Sequence, residues 1–352
     1  MDFGEVTFDY NVGDNSAGIE ATLIGEIGVN HNGDEDLLFK LIDAGISAGI
    51  DVLKFQRFVS EDEISIFAPS TEYQINNKQS KNQLEMAQQL ELTDEQLYKV
   101  KRYCDKKHIG FLCTAFEHDS VDFLANKLKV KSIKIPSPEI TNLPLLQHIS
   151  RKFNQIIIST GASNIAECAN ALEIFPSHEL VMLHCVSEYP APVSDLNLRA
   201  INTLVSAFQI PCGFSDHTNN NLAPIVAASM GAVMIEKHYT LDRSLPGPDH
   251  AASATVKEMK ELKDSLRDLA LMRGDGIKRI AQCELKNRSL IRKSITCALK
   301  NLPKGTVLEE KHFSIKRPVY EDSVEPFDLQ RIIGKTLLNN KTYDEPFYWF
   351  DF

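Results

Sequence analysis

Three absences narrow the class of protein to which the sequence can belong. No apolar run approaches the ~18 residues that a membrane-spanning helix needs. The acidic stretch at residues 1–15 contains no apolar segment of the kind found in signal peptides. Basic residues number 38 against 48 acidic ones, and the net charge of −10 disfavours bulk attraction to nucleic acids or acidic membranes. We therefore expect a cytoplasmic protein with neither a membrane nor a nucleic acid as partner.

Cysteine and glycine motifs are equally sparse. The seven cysteines are an odd number and include no C-x-x-C pair, which argues against a disulfide scaffold or a zinc ribbon and fits a reducing compartment. No G-x-G-x-x-G motif follows the first apolar run, so a dinucleotide-binding open sheet is disfavoured. An anionic substrate stays open, because binding it needs only a local group of cations.

Eight short apolar runs alternate with stretches of helical periodicity. They lie at residues 21–29, 51–56, 110–116, 132–137, 155–160, 180–185, 212–217 and 233–239. Eight strand–helix units over roughly 250 residues are what a (β/α)8 barrel requires. A doubly wound open sheet is the structural alternative. We predict an α/β protein whose main domain is a (β/α)8 TIM barrel.

The predicted barrel domain covers residues 1–277, and residues 1–20 are expected to form an N-terminal hairpin that closes the barrel bottom. A polar linker follows at 278–292, and residues 293–352 form a small C-terminal domain that is marginal in size alone. The long polar insertion at 57–83 is predicted to be a functional loop near the barrel mouth.

Polar side chains gather where the apolar runs end, and this end of a barrel carries the active site. Lys54 and Gln56 are two residues apart in one strand and therefore point the same way, as do Glu236 and His238. A core without a function would not concentrate polar groups at one end of eight strands. The sequence therefore predicts an active site at this rim.

Two histidines end neighbouring predicted strands, His217 on the seventh and His238 on the eighth. Two imidazoles, completed by waters or a carboxylate, suit a borderline divalent ion such as Mn²⁺ or Zn²⁺. The alternative is that each is a hydrogen-bonded core histidine. Because both stand at adjacent strand ends with acidic neighbours, we favour the metal site.

Lys54 and Lys134 each stand inside an apolar strand, where an unpaired charge is unfavourable. Together with Ser137 and Ser159 they form a candidate anion cradle for a phosphate or a carboxylate. Ordinary salt bridges are the alternative for either lysine. Glu26 also lies inside an apolar strand, where burial would raise its pKa and suit it to proton transfer. A structural ion pair with a lysine is an equal alternative for Glu26.

Many motifs together resemble one family of enzymes. The chain is similar, in order along the sequence, to the bacterial sialic acid (nonulosonic acid) synthases in the segments EIGVNHNG, VLKFQ, KIPSPEITNLPLL, IISTGAS, LHCVSEYPAP, GFSDHT and IEKHYTLD. The tail resembles their C-terminal antifreeze-protein-like SAF domain, a β-clip fold, in RKSI, LPKGTVL, FSIKRP and IIGK. The resemblance covers nearly the whole chain.

The resemblance implies a reaction and an assembly. Phosphoenolpyruvate condenses with an acetamido sugar and water to give a nonulosonic acid and phosphate. The main expectation is an N-acetylneuraminate synthase that uses N-acetylmannosamine. The alternative is a legionaminic or pseudaminic acid synthase that uses a 2,4-diacetamido-2,4,6-trideoxy hexose. The family also implies a domain-swapped homodimer, in which the SAF domain of one chain caps the barrel mouth of the other.

Roles for single residues follow from the resemblance, position by position. His217 and His238 would bind Mn²⁺, with Mg²⁺ or Co²⁺ as alternatives, and the ion would polarise the sugar aldehyde. The catalytic group would consist of Glu26, Lys54 and Lys134. Contacts to phosphoenolpyruvate would come from Lys54, Thr114, Lys134, Ser137, Ser159, Ser187 and Ser215. Contacts to the sugar would come from Gln56, Tyr189 and Asp249 of the same chain and from Arg317 of the partner subunit. Glu236 and Lys237 would line the site or support the residues that do.

Two positions depart from the family pattern. A glycine usually follows the serine of the fourth strand, but here Pro138 follows Ser137, and proline has no N–H to offer a ligand. The SAF loop usually reads R-P-G-x-G, but here it reads R-P-V-Y-E-D from Arg317 onwards. Because this loop faces the sugar, a sugar other than N-acetylmannosamine stays open.

Two rival functions remain. An enzyme that uses a phosphorylated sugar on the same scaffold is disfavoured by the SAF tail and by the lack of a second basic cluster. A catalytically silent sugar-binding homologue is disfavoured because Glu26, both lysines and both histidines are present.

Overall fold

The computed structural model describes residues 19–68 and 83–352, together with Val6 and Phe8. The chain forms two compact units, Met1–Gly276 and Ile277–Phe352. Most of the predicted hairpin at 1–20 and the middle of the predicted loop at 57–83 lie outside the described residues.

In the described part of the first unit, eight parallel strands form a sheet that closes on itself, because β8 pairs with both β7 and β1. The strands are β1 Thr22–Glu26, β2 Val52–Arg57, β3 Gly110–Ala115, β4 Ser132–Ile135, β5 Gln155–Ser159, β6 Glu179–Cys185, β7 Cys212–Asp216 and β8 Met234–Thr240. A short strand β9, Ala254–Thr255, pairs with the end of β8. The predicted (β/α)8 TIM barrel is therefore confirmed.

Helices connect the strands. They are α1 Glu35–Ser47, α2 Ser60–Glu63, α3 Gln83–Gln88, α4 Asp94–Lys107, α5 His118–Asp122, α6 Leu143–Ser150, α7 Ile165–Leu172, α8 Ala200–Phe208, α9 Leu222–Ser229 and α10 Val256–Arg273. Helix α5 continues as a π-helix, Phe123–Leu128. A capping box between Thr93 and Gln96 fixes the start of α4. Among the described helices, none has the length and apolar character needed to cross a membrane.

Side chains alternate along each strand between the helix layer and the barrel interior. On β2, Leu53 and Phe55 join the main core beneath the helices, whereas Val52 faces inward. The interior floor is apolar and consists of Ile24, Val52, Leu112, Ile157, Val181, Leu183 and Met234, with Val6, Phe8 and Val233. This floor fills the barrel below the level at which polar side chains begin.

The second unit has a small core of its own around Ile295, Val324 and Phe347. Its strands are β10 Ser294–Cys297, β11 Asn301–Leu302, β12 Phe313–Lys316 and β13 Lys341–Thr342, and its α-helices are α11 Arg288–Ile291 and α12 Leu329–Ile332. Strand β10 pairs with β12 and β11 with β13, both antiparallel. The SAF assignment of this unit stays a prediction.

Candidate active site

A cavity of about 330 Å³ opens at the carboxyl ends of the barrel strands, within the size range of small-molecule sites. Its depth follows from strand alternation. On β2 the inward side chain at floor level is Val52, and the next two inward side chains, Lys54 and Gln56, line the cavity. Along β2, the apolar floor therefore gives way to the polar layer within two residues, between Val52 and Lys54.

The predicted site residues of the barrel converge on this cavity. Its lining includes Glu26, Lys54, Gln56, Thr114, Lys134, Ser137, Ser159, Ser187, Tyr189, Ser215, His217, His238 and Asp249. Arg317 is an exposed residue of the second unit and is not part of this lining. Its expected role in the partner subunit stays a prediction.

Lys54 is buried at the centre of a charged group. Its Nζ lies 3.2 Å from Glu26 Oε1 and 3.4 Å from Glu236 Oε2, and it donates to Thr114 Oγ1 at 3.3 Å. Burial alone would lower the pKa of Lys54, but the carboxylates of Glu236 and Glu26 outweigh burial and raise it. Lys54 is therefore a permanent cation in the cavity.

Lys134 is held less firmly in the charged state. Its Nζ donates to Ser159 Oγ at 2.6 Å and to the carbonyl of Ile135 at 3.2 Å, while Glu236 Oε1 is 3.9 Å away. Burial dominates and lowers the pKa of Lys134 to about 8. An anion bound between the two lysines would stabilise the charged form of Lys134, as expected of an anion cradle.

The glycine after β5 brings the backbone close to two serines of the cavity. Gly161 donates its N–H to Ser137 Oγ at 2.9 Å. A Cβ at this position would overlap Ser187 Oγ and would stand 2.7 Å from Ser137 Oγ. Only glycine therefore lets both hydroxyls face the same small volume.

Glu26 and Glu236 are a pair of buried carboxyl groups with opposite protonation preferences. Burial raises the pKa of Glu26, although Lys54 opposes this. For Glu236, Lys134 and Lys54 outweigh the effect of burial, and a hydrogen bond from Ser215 Oγ at 2.9 Å adds to them, so its pKa is lowered. Glu26 therefore holds a proton to higher pH than an ordinary carboxyl, and Glu236 stays an anion.

His217 presents a defined tautomer to the cavity. Its Nδ1 lies 2.8 Å from the carbonyl oxygen of Val186. Because a carbonyl only accepts, Nδ1 carries a proton, and Nε2 carries the lone pair whenever the ring is neutral. The ring of Tyr189 lies over the imidazole, with centroids 4.0 Å apart. In the neutral ring, Nε2 would be available to a metal ion.

His238 completes a pair of nitrogen donors. Its ring centroid lies 5.7 Å from that of His217. Its Nδ1 is buried without a hydrogen-bond partner and lies 3.6 Å from Asp249 Oδ2. Burial and the neighbouring His217 hold the pKa of His238 well below its usual range, so the ring is neutral. Burial raises the pKa of Asp249 to about 6, which still leaves it mostly ionised at neutral pH.

These residues fit a divalent ion with open coordination positions. The unpartnered Nδ1 of His238 and the fixed tautomer of His217 supply two nitrogen donors. Over the described ranges, no three His, Cys, Asp or Glu side chains are grouped closely enough to enclose an ion. The remaining positions would fall to water or substrate, as in catalytic rather than structural metal sites.

The loop that follows β1 forms hydrogen bonds to the segment that carries Asp249. Asn30 Nδ2 donates to the carbonyl of Tyr239 and to Ser253 Oγ, both at 2.9 Å. Asn32 Nδ2 donates to the carbonyl of Pro246 at 2.6 Å. The NHNG motif therefore ties the end of β1 to the loop after β8.

Three features of the cavity differ from, or go beyond, what the sequence predicted. Glu236 was expected as a lining or supporting group, and it lines the cavity; the structure adds that it stands between the two lysines as their counter-ion. Lys237 was expected to line or support the site, but it points away and pairs with Asp216. A group of apolar side chains around Phe58 and Leu90 also lines the cavity and was not anticipated.

Known proteins match the chain over most of its length. The NeuB family matches residues 41–278. The N,N′-diacetyllegionaminic acid synthase of Legionella pneumophila is 41% identical over 335 residues, with 93% of each chain covered. The enzyme of the same name from Campylobacter jejuni is 39% identical, covering 92% of this chain and 97% of its own.

A solved structure agrees with these matches. The N-acetylneuraminic acid (sialic acid) synthetase of Leptospira borgpetersenii is 31% identical and aligns with a TM-score of 0.68 over 76% of this chain and 90% of its own. Sequence matches at this level over nearly the whole chain exceed what a shared barrel fold alone implies. The chain belongs to the NeuB family of sialic acid (nonulosonic acid) synthases.

Proposed function

We propose that the protein condenses phosphoenolpyruvate with a 2,4-diacetamido-2,4,6-trideoxy hexose and water, giving a diacetyllegionaminic-type acid and phosphate. Two relatives at 41% and 39% identity are named as synthases of that product. Their names favour this sugar over N-acetylmannosamine, the main expectation from the sequence. The observation that carries the proposal is a buried pair of lysines beside a pair of histidines in one cavity.

The reaction makes one carbon–carbon bond and breaks one carbon–oxygen bond. C3 of phosphoenolpyruvate bonds to the aldehyde carbon of the open-chain sugar, which leaves positive charge at C2. Water adds at C2, and the bond from C2 to the phosphate oxygen then breaks. The two protons of water go to the former aldehyde oxygen and to the departing phosphate, so that a 2-keto acid and phosphate result.

The anion cradle binds the phosphate and carboxylate of phosphoenolpyruvate in this scheme. Lys54 supplies a permanent charge, and the bound anion would raise the pKa of Lys134 and keep that lysine charged as well. Glu236 neutralises the lysines in the free protein, and its negative charge is well placed to stabilise the positive charge that develops at C2.

Glu26 relays a proton in this scheme. Its raised pKa lets it hold a proton at its carboxyl group inside the cavity, and its Oε2 is buried without a hydrogen-bond partner. Gln56 Nε2 donates to Oε1 at 2.8 Å and fixes the orientation of the carboxyl group. Glu26 can therefore give its proton to the departing phosphate oxygen and recover one from water.

A divalent ion held by His217 and His238, Mn²⁺ first with Mg²⁺ or Co²⁺ as alternatives, would supply Lewis-acid polarisation of the aldehyde. Asp249 and Tyr189 border the same position and would contact the sugar. The second unit would act as a SAF domain in a homodimer, with Arg317 of the partner subunit reaching the acetamido group. The exposure of Arg317 is compatible with that role.

The test is phosphate release from phosphoenolpyruvate, with Mn²⁺ or with EDTA, across a panel of free acetamido hexoses. We expect release with the 2,4-diacetamido-2,4,6-trideoxy sugar, little with N-acetylmannosamine, and none after His217→Ala. Release driven by N-acetylmannosamine alone would return the assignment to N-acetylneuraminate synthase. No release with any sugar or metal would favour the silent sugar-binding homologue.

A further inference from the structure

A second hydrophobic surface of the barrel unit faces the cavity and not the helix layer. It forms a cluster separate from the main core, and we call it the apolar wall, made of Phe58, Ile64, Met86, Ala87, Leu90 and Phe116. All of these residues line the cavity that holds the anion cradle. Phe58 and Leu90 are buried, whereas Ile64, Met86 and Phe116 are half-buried and open to the cavity.

The height of the wall follows from strand alternation. Lys54 and Gln56 point inward on β2, in a step of two residues or roughly 6.7 Å, and Phe58 follows directly after the last residue of that strand. On the neighbouring β3, Thr114 points inward, and Phe116 follows directly after the end of the strand. The wall therefore stands above the cradle on the side of the cavity mouth.

This height assigns the wall to the acceptor sugar. Phosphoenolpyruvate occupies the deeper cradle, and its C3 must meet the aldehyde carbon C1 of the sugar. The far end of the sugar, C6, then extends towards the mouth, at the level of the wall. A methyl group there would be buried against carbon atoms, whereas a hydroxyl would lose water without gaining a partner from the wall.

We infer that the apolar wall receives the C6 methyl group of a 6-deoxy acceptor and selects against the same sugar with a 6-hydroxyl. The inference rests on the proposed function, since it names the part of the acceptor that this surface recognises. Packing alone is a weaker account, because a purely structural cluster would face the helix layer as the main core does. Glu63 precedes Ile64 in the sequence and also lines the cavity. Its carboxyl group is the acidic group next to the wall that a 6-hydroxyl of the sugar would use as a hydrogen-bond partner.

The experiment compares a matched pair of acceptors, 2,4-diacetamido-2,4,6-trideoxy hexose and its 6-hydroxy counterpart. The ratio of kcat/KM for the pair is measured on each protein sample, so the folded fraction cancels. Leu90→Asn and Met86→Gln make the wall polar with side chains of similar shape. Leu92→Asn is the matched control, because Leu92 lies in the main core and not in the cavity lining. Glu63→Gln tests the carboxyl next to the wall.

Wild type should prefer the 6-deoxy sugar by about 10–200-fold, the range for one group in an apolar pocket. Leu90→Asn and Met86→Gln should each reduce that ratio at least about fivefold, while Leu92→Asn leaves it unchanged. Equal use of both sugars by wild type would overturn the inference. The inference would also be overturned if the kcat/KM ratio stayed unchanged in both wall variants. The same holds if the preference for the 6-deoxy sugar were lost only in Glu63→Gln.

A binding measurement separates this inference from the proposed function. Calorimetry without phosphoenolpyruvate gives the dissociation constants of both sugars in the absence of turnover. If neither sugar drives phosphate release, the proposed function fails. The ratio of the two dissociation constants still tests whether the wall selects the 6-deoxy sugar. A ratio near one that Leu90→Asn does not change would sink the inference.

Discussion

The anion cradle and the apolar wall share one cavity but are held in place by different means. Cradle residues such as Lys54 and Lys134 stand on barrel strands, where neighbouring strands fix their direction by hydrogen bonds. Most of the wall stands on the connection between β2 and α4, with α2 and α3 as its short helices. The part proposed to bind phosphoenolpyruvate is thus held by the sheet, and the part proposed to choose the acceptor sits on a connection that can vary without disturbing the barrel.

The largest effect on activity should come from removing Lys54, the central cation of the cradle. This change damages the cradle and leaves the wall intact. Lys54→Met leaves Glu26 and Glu236 buried beside each other without their partner. We expect kcat/KM for phosphoenolpyruvate to fall by about 10²–10³-fold and the unfolding free energy by about 3 kcal/mol. Steady-state kinetics and chemical denaturation measure the two.

The matched control is Lys99→Met, which removes a lysine that pairs with Glu35 and Glu95 at the surface. It should change neither quantity, because solvent screens exposed ion pairs. A Lys54→Met protein as active as wild type would show that the cradle lies elsewhere.

The next largest effect should come from Gly161→Ala, which crowds the cradle without changing any charge. The added Cβ must displace Ser187 and Ser137. We expect KM for phosphoenolpyruvate to rise by about 10²-fold, since small displacements of binding groups carry penalties of that order. Ser163→Ala in the same turn removes only a hydroxyl bonded to the carbonyl of Gly161 and is the control. Equal KM values for the two variants would contradict the close-approach argument.

A pH dependence should follow from Lys134. Burial places its pKa at about 8 in the free protein, so the lysine is charged below pH 8 and loses its proton as pH rises through that value. The anion needs the charged form, so the dissociation constant of phosphoenolpyruvate should rise up to about tenfold per pH unit above pH 8. Calorimetry between pH 7 and 9.5 measures this, and Lys134→Arg should flatten the profile. A flat profile in wild type would mean that Lys134 does not bind the anion.

The smallest expected effect is a change in the KM for phosphoenolpyruvate when a residue of the wall is substituted. Leu90→Asn should leave KM for phosphoenolpyruvate within about twofold of wild type, because separate sites that share no partner act independently. Initial rates at saturating acceptor test this. A large rise in that KM would show that cradle and wall are one coupled structure, and the contrast between them would fail.

The cradle was predictable from sequence because strand geometry is periodic. Lys54 with Gln56 and Glu236 with His238 share a spacing of two, and the structure lines the cavity with all four. The same rule places Lys237 on the other face of β8, where it pairs with Asp216 and does not line the cavity.

The wall was not predictable in the same way. Ile64 and Leu90 are single apolar residues in a largely polar stretch without periodicity, and their convergence depends on the course of the connection. The predicted loop at 57–83 contains Phe58 and Ile64 of the wall, and its function stays a prediction. The roles of Arg317 and of the second unit depend on assembly, which no pattern within one chain fixes.

The closed floor of the barrel also sets the order of events in time. Val6, Phe8 and the inward residues around Met234 block the lower end in the described structure, so molecules must come and go through the upper mouth. If phosphoenolpyruvate binds in the deeper cradle as proposed, it has to enter before the sugar, and the sugar above it then closes its way out. An unreactive sugar analogue bound above phosphoenolpyruvate should therefore slow its escape from the cavity.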